Sequence, residues 1–139
     1  MRVYGAATRQ NDGKTITALG LLSAIKDHYQ NVGYMKPVGQ QVKLIDGENV
    51  DKDACLMSEV FSISQAPKDL SPIAIPRGFT EDYILHGKPD QLRRKIQQSY
   101  LRASHDKEFM VIEGTGHAGV GSVLDLSNAD VARILAAPV

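Results

Sequence analysis

An α/β fold with a parallel sheet flanked by helices is the architecture this sequence predicts, on three observations. Short apolar runs at Val3–Ala7, Val32–Met35 and Phe109–Ile112 have the length and side-chain content of buried strands. Amphipathic stretches of helical period separate them, the first from Ile16 to Gln30 and another from Pro89 to about Ser104. The joint between the first strand and the first helix, Thr8-Arg9-Gln10-Asn11-Asp12-Gly13-Lys14-Thr15, has the layout of a phosphate-binding loop.

Each element has its own reason. In the first helix Ala18, Leu22, Ile25 and Tyr29 recur at steps of four, three and four, with Leu19 and Leu21 widening the stripe that would pack on a sheet. Val32–Met35 forms the second strand and ends at Lys36-Pro37, because Pro37 has no N–H to continue pairing. Strand, helix, strand within this length is a βαβ unit, whose crossover is expected to be right-handed. The stretch from Val38 to Val50 reads as polar and irregular. Asp51 then reads as the N-cap of a helix running to about Phe61.

Pro67, Pro72 and Pro76 make Ser62–Arg77 an extended, partly covered connector around Ile73-Ala74-Ile75. A short helix should run from Thr80 to Gly87. Pro89 stands at a first-turn position of the next one, where Leu92, Ile96 and Tyr100 make the apolar stripe. Phe109–Ile112 is the third strong strand and closes on Glu113. A glycine-rich loop, Gly114 to Gly121, follows it, and Ser127 or Asn128 caps a last helix from Ala129 to Leu135. Ala137-Pro138-Val139 resembles the entry into another strand. The expectation is a single nucleotide-binding domain over 1–139 that forms the N-terminal part of a longer one; a complete small α/β protein is the alternative.

Composition narrows the function. With 42% apolar and 23% charged residues and zero net charge, the chain reads as an ordinary soluble domain without an electrostatic case for nucleic acid or anionic membrane. Arg93-Arg94-Lys95 reads as a solvated helix face. Cys55 is the single cysteine, so no internal disulfide or cysteine zinc cluster can form, and its neighbours Ala54, Leu56 and Met57 favour a packing role. His28, His86 and His105 lack metal-ligand spacing. Neither a membrane span nor a targeting segment is seen, and the cytoplasm is the expected location.

The loop carries the chemistry. Backbone N–H groups of a loop and first helical turn converge on one spot, where the helix dipole also favours an anion. Gly13 lets the backbone approach phosphates, Lys14 reaches their outer oxygens, and the Thr15 hydroxyl can ligate Mg²⁺. The pattern departs from the full Walker A form, since Thr8 stands where the first glycine belongs and Ala7 precedes it. Glu113, an acid closing a strand, would sit at the ligand-binding edge of the sheet and hold Mg²⁺ beside Thr15, or else be a plain surface acid. Asp53, like Asp51, has a structural role available at a helix start. Lys36 ends the second strand at the same edge and could contact substrate or phosphate. Gly114-Thr115-Gly116-His117-Ala118-Gly119 also fits Gly-x-Gly-x-x-Gly, but no helix opens at that loop and no acid follows Asp130. The dinucleotide reading is therefore the weaker one, and His117 with Thr115 lines a substrate pocket or simply sits in a loop.

Taken together, Thr8–Thr15, Tyr34-Met35-Lys36-Pro37-Val38 and Val111-Ile112-Glu113-Gly114-Thr115-Gly116 resemble the dethiobiotin synthetase family. That family belongs to a wider class of P-loop ATPases with cobyrinic acid a,c-diamide synthase and the MinD-like proteins, and the N-terminal domain of long phosphotransacetylases is a further relative. The resemblance covers most of the chain, as the first half of such a domain. It implies ATP and Mg²⁺ as cofactors, with Thr8 to Thr15 on the nucleotide, Lys14 and Thr15 on phosphate and metal, and Asp53 and Glu113 near the metal. Lys36 would face substrate and γ-phosphate, and Gly114, Thr115, Gly116 and His117 the substrate. The implied chemistry is attack of a carboxylate or carbamate oxygen on the γ-phosphate, giving a mixed anhydride. An ATP-binding regulatory module without turnover is the alternative, and a chain that is inert by itself is a third.

Two departures bear on substrate and assembly. Gly39-Gln40-Gln41 replaces the small hydroxyl residues that follow Lys-Pro-Val in the enzymes of biotin synthesis, which implies a different carboxylate-like substrate. Arg9 stands where MinD-like members carry a lysine that reaches across a homodimer, so the resemblance allows a homodimer; an exposed loop arginine is the plain alternative.

Overall fold

The computed structural model describes residues 1–9, 11–76, 78–116 and 121–139. Its centre is a parallel sheet of β1 (Arg2–Gly5), β2 (Val32–Met35) and a late strand, β7 (Phe109–Glu113), in the order β1-β7-β2. The strand furthest along the chain is thus the middle one. From Met110 onward every β7 residue is buried, and so is every residue of β2, as strands covered on both faces require. β1 runs only to Gly5, two residues short of the expected end, and α1 runs from Lys14 to Ile25, starting earlier and stopping before Gln30.

Side chains of the sheet alternate between two cores, following the strand period. Tyr34 and Val111 face Ala18, Leu22 and Ile25 of α1 and Val50, Ala54 and Met57 beyond them. Tyr4, Met35, Met110 and Ile112 face the other way, onto Ile96 and Ala103 of α5 (Pro89–Ala103) and Val131 and Leu135 of α6 (Asn128–Ile134). The layering is helices, sheet, helices, as expected of the α/β class.

The stretch after Pro37 is not irregular. β3 (Val38–Gly39) pairs in parallel with β6 (Ile73–Ala74), while β4 (Val42–Ile45) and β5 (Glu48–Asp51) form an antiparallel hairpin. Asp46 at φ 49° and Gly47 at φ 80° make its two-residue turn, both left-handed as a type I′ hairpin needs. Asp-Gly is a strong signal for such a turn. It was masked because neither flanking strand, Val-Lys-Leu-Ile or Glu-Asn-Val-Asp, alternates apolar and polar residues strictly.

β5 passes directly into α2 (Lys52–Phe61), where Asp51 is the N-cap and accepts from Asp53 N at 3.0 Å. Cys55 is buried in α2, as its neighbours suggest. The proline-rich connector contains a short helix, α3 (Pro67–Leu70), before β6, and α4 (Phe79–His86) follows with its cap at Gly87. A 3₁₀ turn, Ser122–Leu124, precedes α6, which opens on a capping box between Ser127 and Asp130. Pro138 lies beside the free edge of β1, its carbonyl accepting from Tyr4 N at 2.8 Å. Among the described residues no helix is long and apolar enough to cross a membrane.

Candidate functional site

Strand register decides what meets at the carboxyl edge of the sheet. Gly5 pairs with Glu113 and Met35 with Ile112, so Lys36 comes to stand beside Glu113. Gly114 N donates to Gly5 O at 2.8 Å, tying the glycine loop to the chain where it leaves β1. Ligands of open α/β sheets bind at this edge.

The loop from Ala6 to Gly13 turns through Asn11 at φ 65° and Gly13 at φ 81°. Gly13 is the N-cap of α1, with no side-chain cap and no acid in the first turn. The first helical bond is Thr17 N to Gly13 O at 2.8 Å, so the N–H groups ahead of it have no acceptor within the helix. They open on a cleft of about 360 Å³ lined by Asn11, Gly13, Lys14, Thr15, Lys36, Asp53 and Glu113, among others. Lys14 Nζ lies across it, donating to Gly116 O at 2.8 Å and reaching Arg9 O at 3.4 Å.

At the floor of the cleft three carboxylates surround one ammonium. Lys36, 7% exposed, sits 3.0 Å from Asp51 Oδ1, hydrogen-bonds Asp53 Oδ2, and lies 3.8 Å from Glu113 Oε1. Asp51 is fully buried, and its Oδ2 accepts from Gln41 N at 3.1 Å. Glu113 is 2% exposed and takes two hydroxyl donors, Thr15 at 2.7 Å on Oε1 and Tyr34 at 2.8 Å on Oε2. Burial alone would lower the Lys36 pKa, but Asp51, Asp53 and Glu113 outweigh it and the net shift is upward. For Glu113 burial prevails and the shift is upward, against Lys36 and the two hydroxyl donors. Tyr34 is pushed well above the ordinary phenol range, by burial first and then by Glu113, so its O–H stays a donor.

Most of the expected site residues do converge. Asn11, Gly13, Lys14, Thr15, Lys36, Asp53, Glu113, Gly114, Thr115 and Gly116 all line the cleft. Thr8, Arg9 and Asp12 are exposed and do not line it; Asp12 instead accepts from Arg9 N at 3.1 Å, bracing the loop. Gln10 and His117 lie outside the described residues. Three contributors escaped the sequence reading. Tyr34 looks like an ordinary core aromatic. Asp51 is a helix cap that also pairs with Lys36. Asn128 anchors the glycine loop, its Oδ1 accepting from Thr115 N at 2.9 Å and from Tyr4 O–H at 3.0 Å.

The donor chemistry suits Mg²⁺, which prefers oxygen and usually takes one or two carboxylates, with water and phosphate for the rest. Thr15 Oγ1, Glu113 Oε1 and Asp53 supply such oxygens. Among the described residues no group of three or more His, Cys, Asp or Glu side chains is placed to hold a metal ion by itself.

A parallel sheet whose first strand leads through a Gly-Lys-Thr loop into a helix defines the P-loop nucleotide-binding class. Within it, residues 2–139 match the family model AAA_26, described as an AAA domain, and the chain belongs to this family. Curated relatives are distant. The chain is 23% identical over 134 residues to the ATP-dependent dethiobiotin synthetase of Methanococcus vannielii, covering 96% of this chain and 60% of that one. It is 29% identical over 125 residues to the ATP-dependent dethiobiotin synthetase of Caldicellulosiruptor saccharolyticus, covering 85% and 49%. A phosphate acetyltransferase of Synechocystis is 23% identical over 138 residues, 99% of this chain but 19% of the relative. The chain therefore spans about half the length of the dethiobiotin synthetases it matches, and a fifth of the phosphate acetyltransferase.

Proposed function

We propose that the chain binds Mg-ATP at this cleft, in a protein that transfers the γ-phosphoryl group to a carboxylate-like oxygen. The observation that carries the reading is the open N-terminus of α1, with Lys14 across the cleft and the Thr15 hydroxyl on Glu113. Lys14 is held by neutral carbonyls, and phosphate oxygens make stronger, charge-assisted partners for an ammonium. The backbone N–H groups at the start of α1 would take the remaining phosphate charge. Thr15, Glu113 and Asp53 would hold Mg²⁺, which when bound neutralises charge on the phosphates. Lys36 would offset charge on the transferring group, and Gly114, Thr115 and Gly116 would border the acceptor. That relatives are named ATP-dependent dethiobiotin synthetases supports ATP as the nucleotide.

A second reading, nucleotide sensing without turnover, draws on the match to one fifth of a phosphate acetyltransferase. The two differ in whether ADP and phosphate appear when candidate acids are supplied.

Calorimetric titration with ATP and GTP, with and without Mg²⁺, tests the shared step. Mg-dependent ATP binding should be lost in Lys14→Ala. Equal affinity in the variant would refute the assignment of the loop.

A further inference from the structure

The carboxylate cluster has its own cation built in. Lys36 Nζ is within 4 Å of Asp51, Asp53 and Glu113, while Glu113 also takes the Thr15 hydroxyl. An Mg²⁺ drawing on Asp53 and Glu113 would use carboxylates whose charge Lys36 already compensates. Two cations sharing these acids would repel each other at short range in a site of reduced dielectric.

We infer that Lys36 is an internal counterion that competes with the divalent cation, and that metal entry turns its ammonium away from Asp53 and Glu113 towards the nucleotide. The inference rests on the Mg-nucleotide reading above and adds an order of events within it. Asp51 is what makes the turn feasible. It is fully buried, fixed by Gln41 N and by the start of α2, and it pairs with Lys36 at 3.0 Å, closer than Glu113 at 3.8 Å. A lysine released by the other two acids keeps this partner, so its charge is never left buried and alone. The four-carbon stem supplies the freedom the ammonium needs, where the planar fork of an arginine would not. Metal and nucleotide binding are then coupled: metal alone must displace Lys36, whereas metal arriving with phosphate gives Lys36 a new anion.

The test uses metal alone as the probe. Mn²⁺ binding without nucleotide, read by electron paramagnetic resonance, should tighten tenfold or more in Lys36→Met. Wild type should show weak Mn²⁺ binding that ATP strengthens. Equal or weaker Mn²⁺ binding in Lys36→Met would overturn the inference. The variant leaves buried carboxylates uncompensated and could fail to fold without metal, so a second measurement uses wild type only. The side-chain ammonium resonance of Lys36 should move on adding Mg²⁺ in the absence of nucleotide, and an unmoved resonance at saturating Mg²⁺ overturns the inference. Lys14→Ala run alongside keeps the two claims apart. Loss of Mg-ATP binding there with no Lys36 effect rejects the counterion while keeping the nucleotide site.

Discussion

Gly39→Ala and Gly20→Ala make the same chemical change and should move stability in opposite directions. A Cβ on Gly39 would lie 2.4 Å from both Cβ and Oδ2 of Asp51 and 2.6 Å from its Cγ. No flexible side-chain end is there to yield, because Asp51 Cβ is anchored to the backbone where β5 enters α2. Either the β3 backbone retreats or Asp51 rotates away from Gln41 N and Lys36. Overpacking of this kind costs about 1–3 kcal/mol, and losing a hydrogen bond to a charged acceptor adds about 1.5–3 kcal/mol. Allowing for partial relaxation, about 3 kcal/mol is expected, which lowers Tm by about 10 °C for a domain of this size. Gly20 is an exposed α1 position with nothing within 4 Å of the added methyl. Its replacement should stabilise by about 0.5–1 kcal/mol, from helix propensity alone. Urea unfolding of the three proteins measures both effects. A Gly39→Ala variant within about 0.5 kcal/mol of wild type, the usual scatter of surface changes, would refute the packing of Asp51 against β3 and the cluster built on it.

Other expectations are more local. Tyr34→Phe removes the O–H that Glu113 Oε2 accepts in the core and should cost about 1.5–3 kcal/mol in urea unfolding; a neutral substitution would mean the carboxylate has another donor. Ser127→Ala removes the cap that donates to Asp130 and accepts from its N–H, at a cost of about 1 kcal/mol. Asp130 is held below the ordinary carboxylate range, chiefly by Ser127 and also by Arg133. A depressed folded pKa gives stability that is present above the unfolded value, about pH 4, and is lost as pH falls through the folded value. The Ser127→Ala difference should therefore shrink on acidification below about pH 4, and a difference constant down to pH 2 would contradict the capping role.

Much of this molecule is legible from its residues because local physics suffices. The steps of Ala18, Leu22 and Ile25 specify α1, and all three are buried against the sheet. Gly13-Lys14-Thr15 after an apolar strand announces a helix that starts without a side-chain cap, and the glycine has the left-handed φ such an entry needs. The β4–β5 hairpin was less legible, since Lys43 and Leu44 are exposed and only Val50 and Asp51, adjacent in β5, are buried, which leaves no alternating pattern. Only Asp46-Gly47 marked it.

Periodicity, then, determined the α/β class and the strands that lead to the cleft; the loop motif and the strand ends singled out Lys14, Thr15, Lys36 and Glu113, while Asp53 was singled out by the family resemblance. Tertiary structure alone decided that β7 lies between β1 and β2, because strand order is set by pairing between distant parts of the chain and not by any local pattern. That placement brings Glu113 beside Thr15, Tyr34 and Lys36 from distant parts of the chain. It also gave Asp51 its second role, since the hairpin returns the chain beside Lys36. A cap is recognised from its neighbours in sequence, but a charge pair exists only once the fold has brought both charges together out of water.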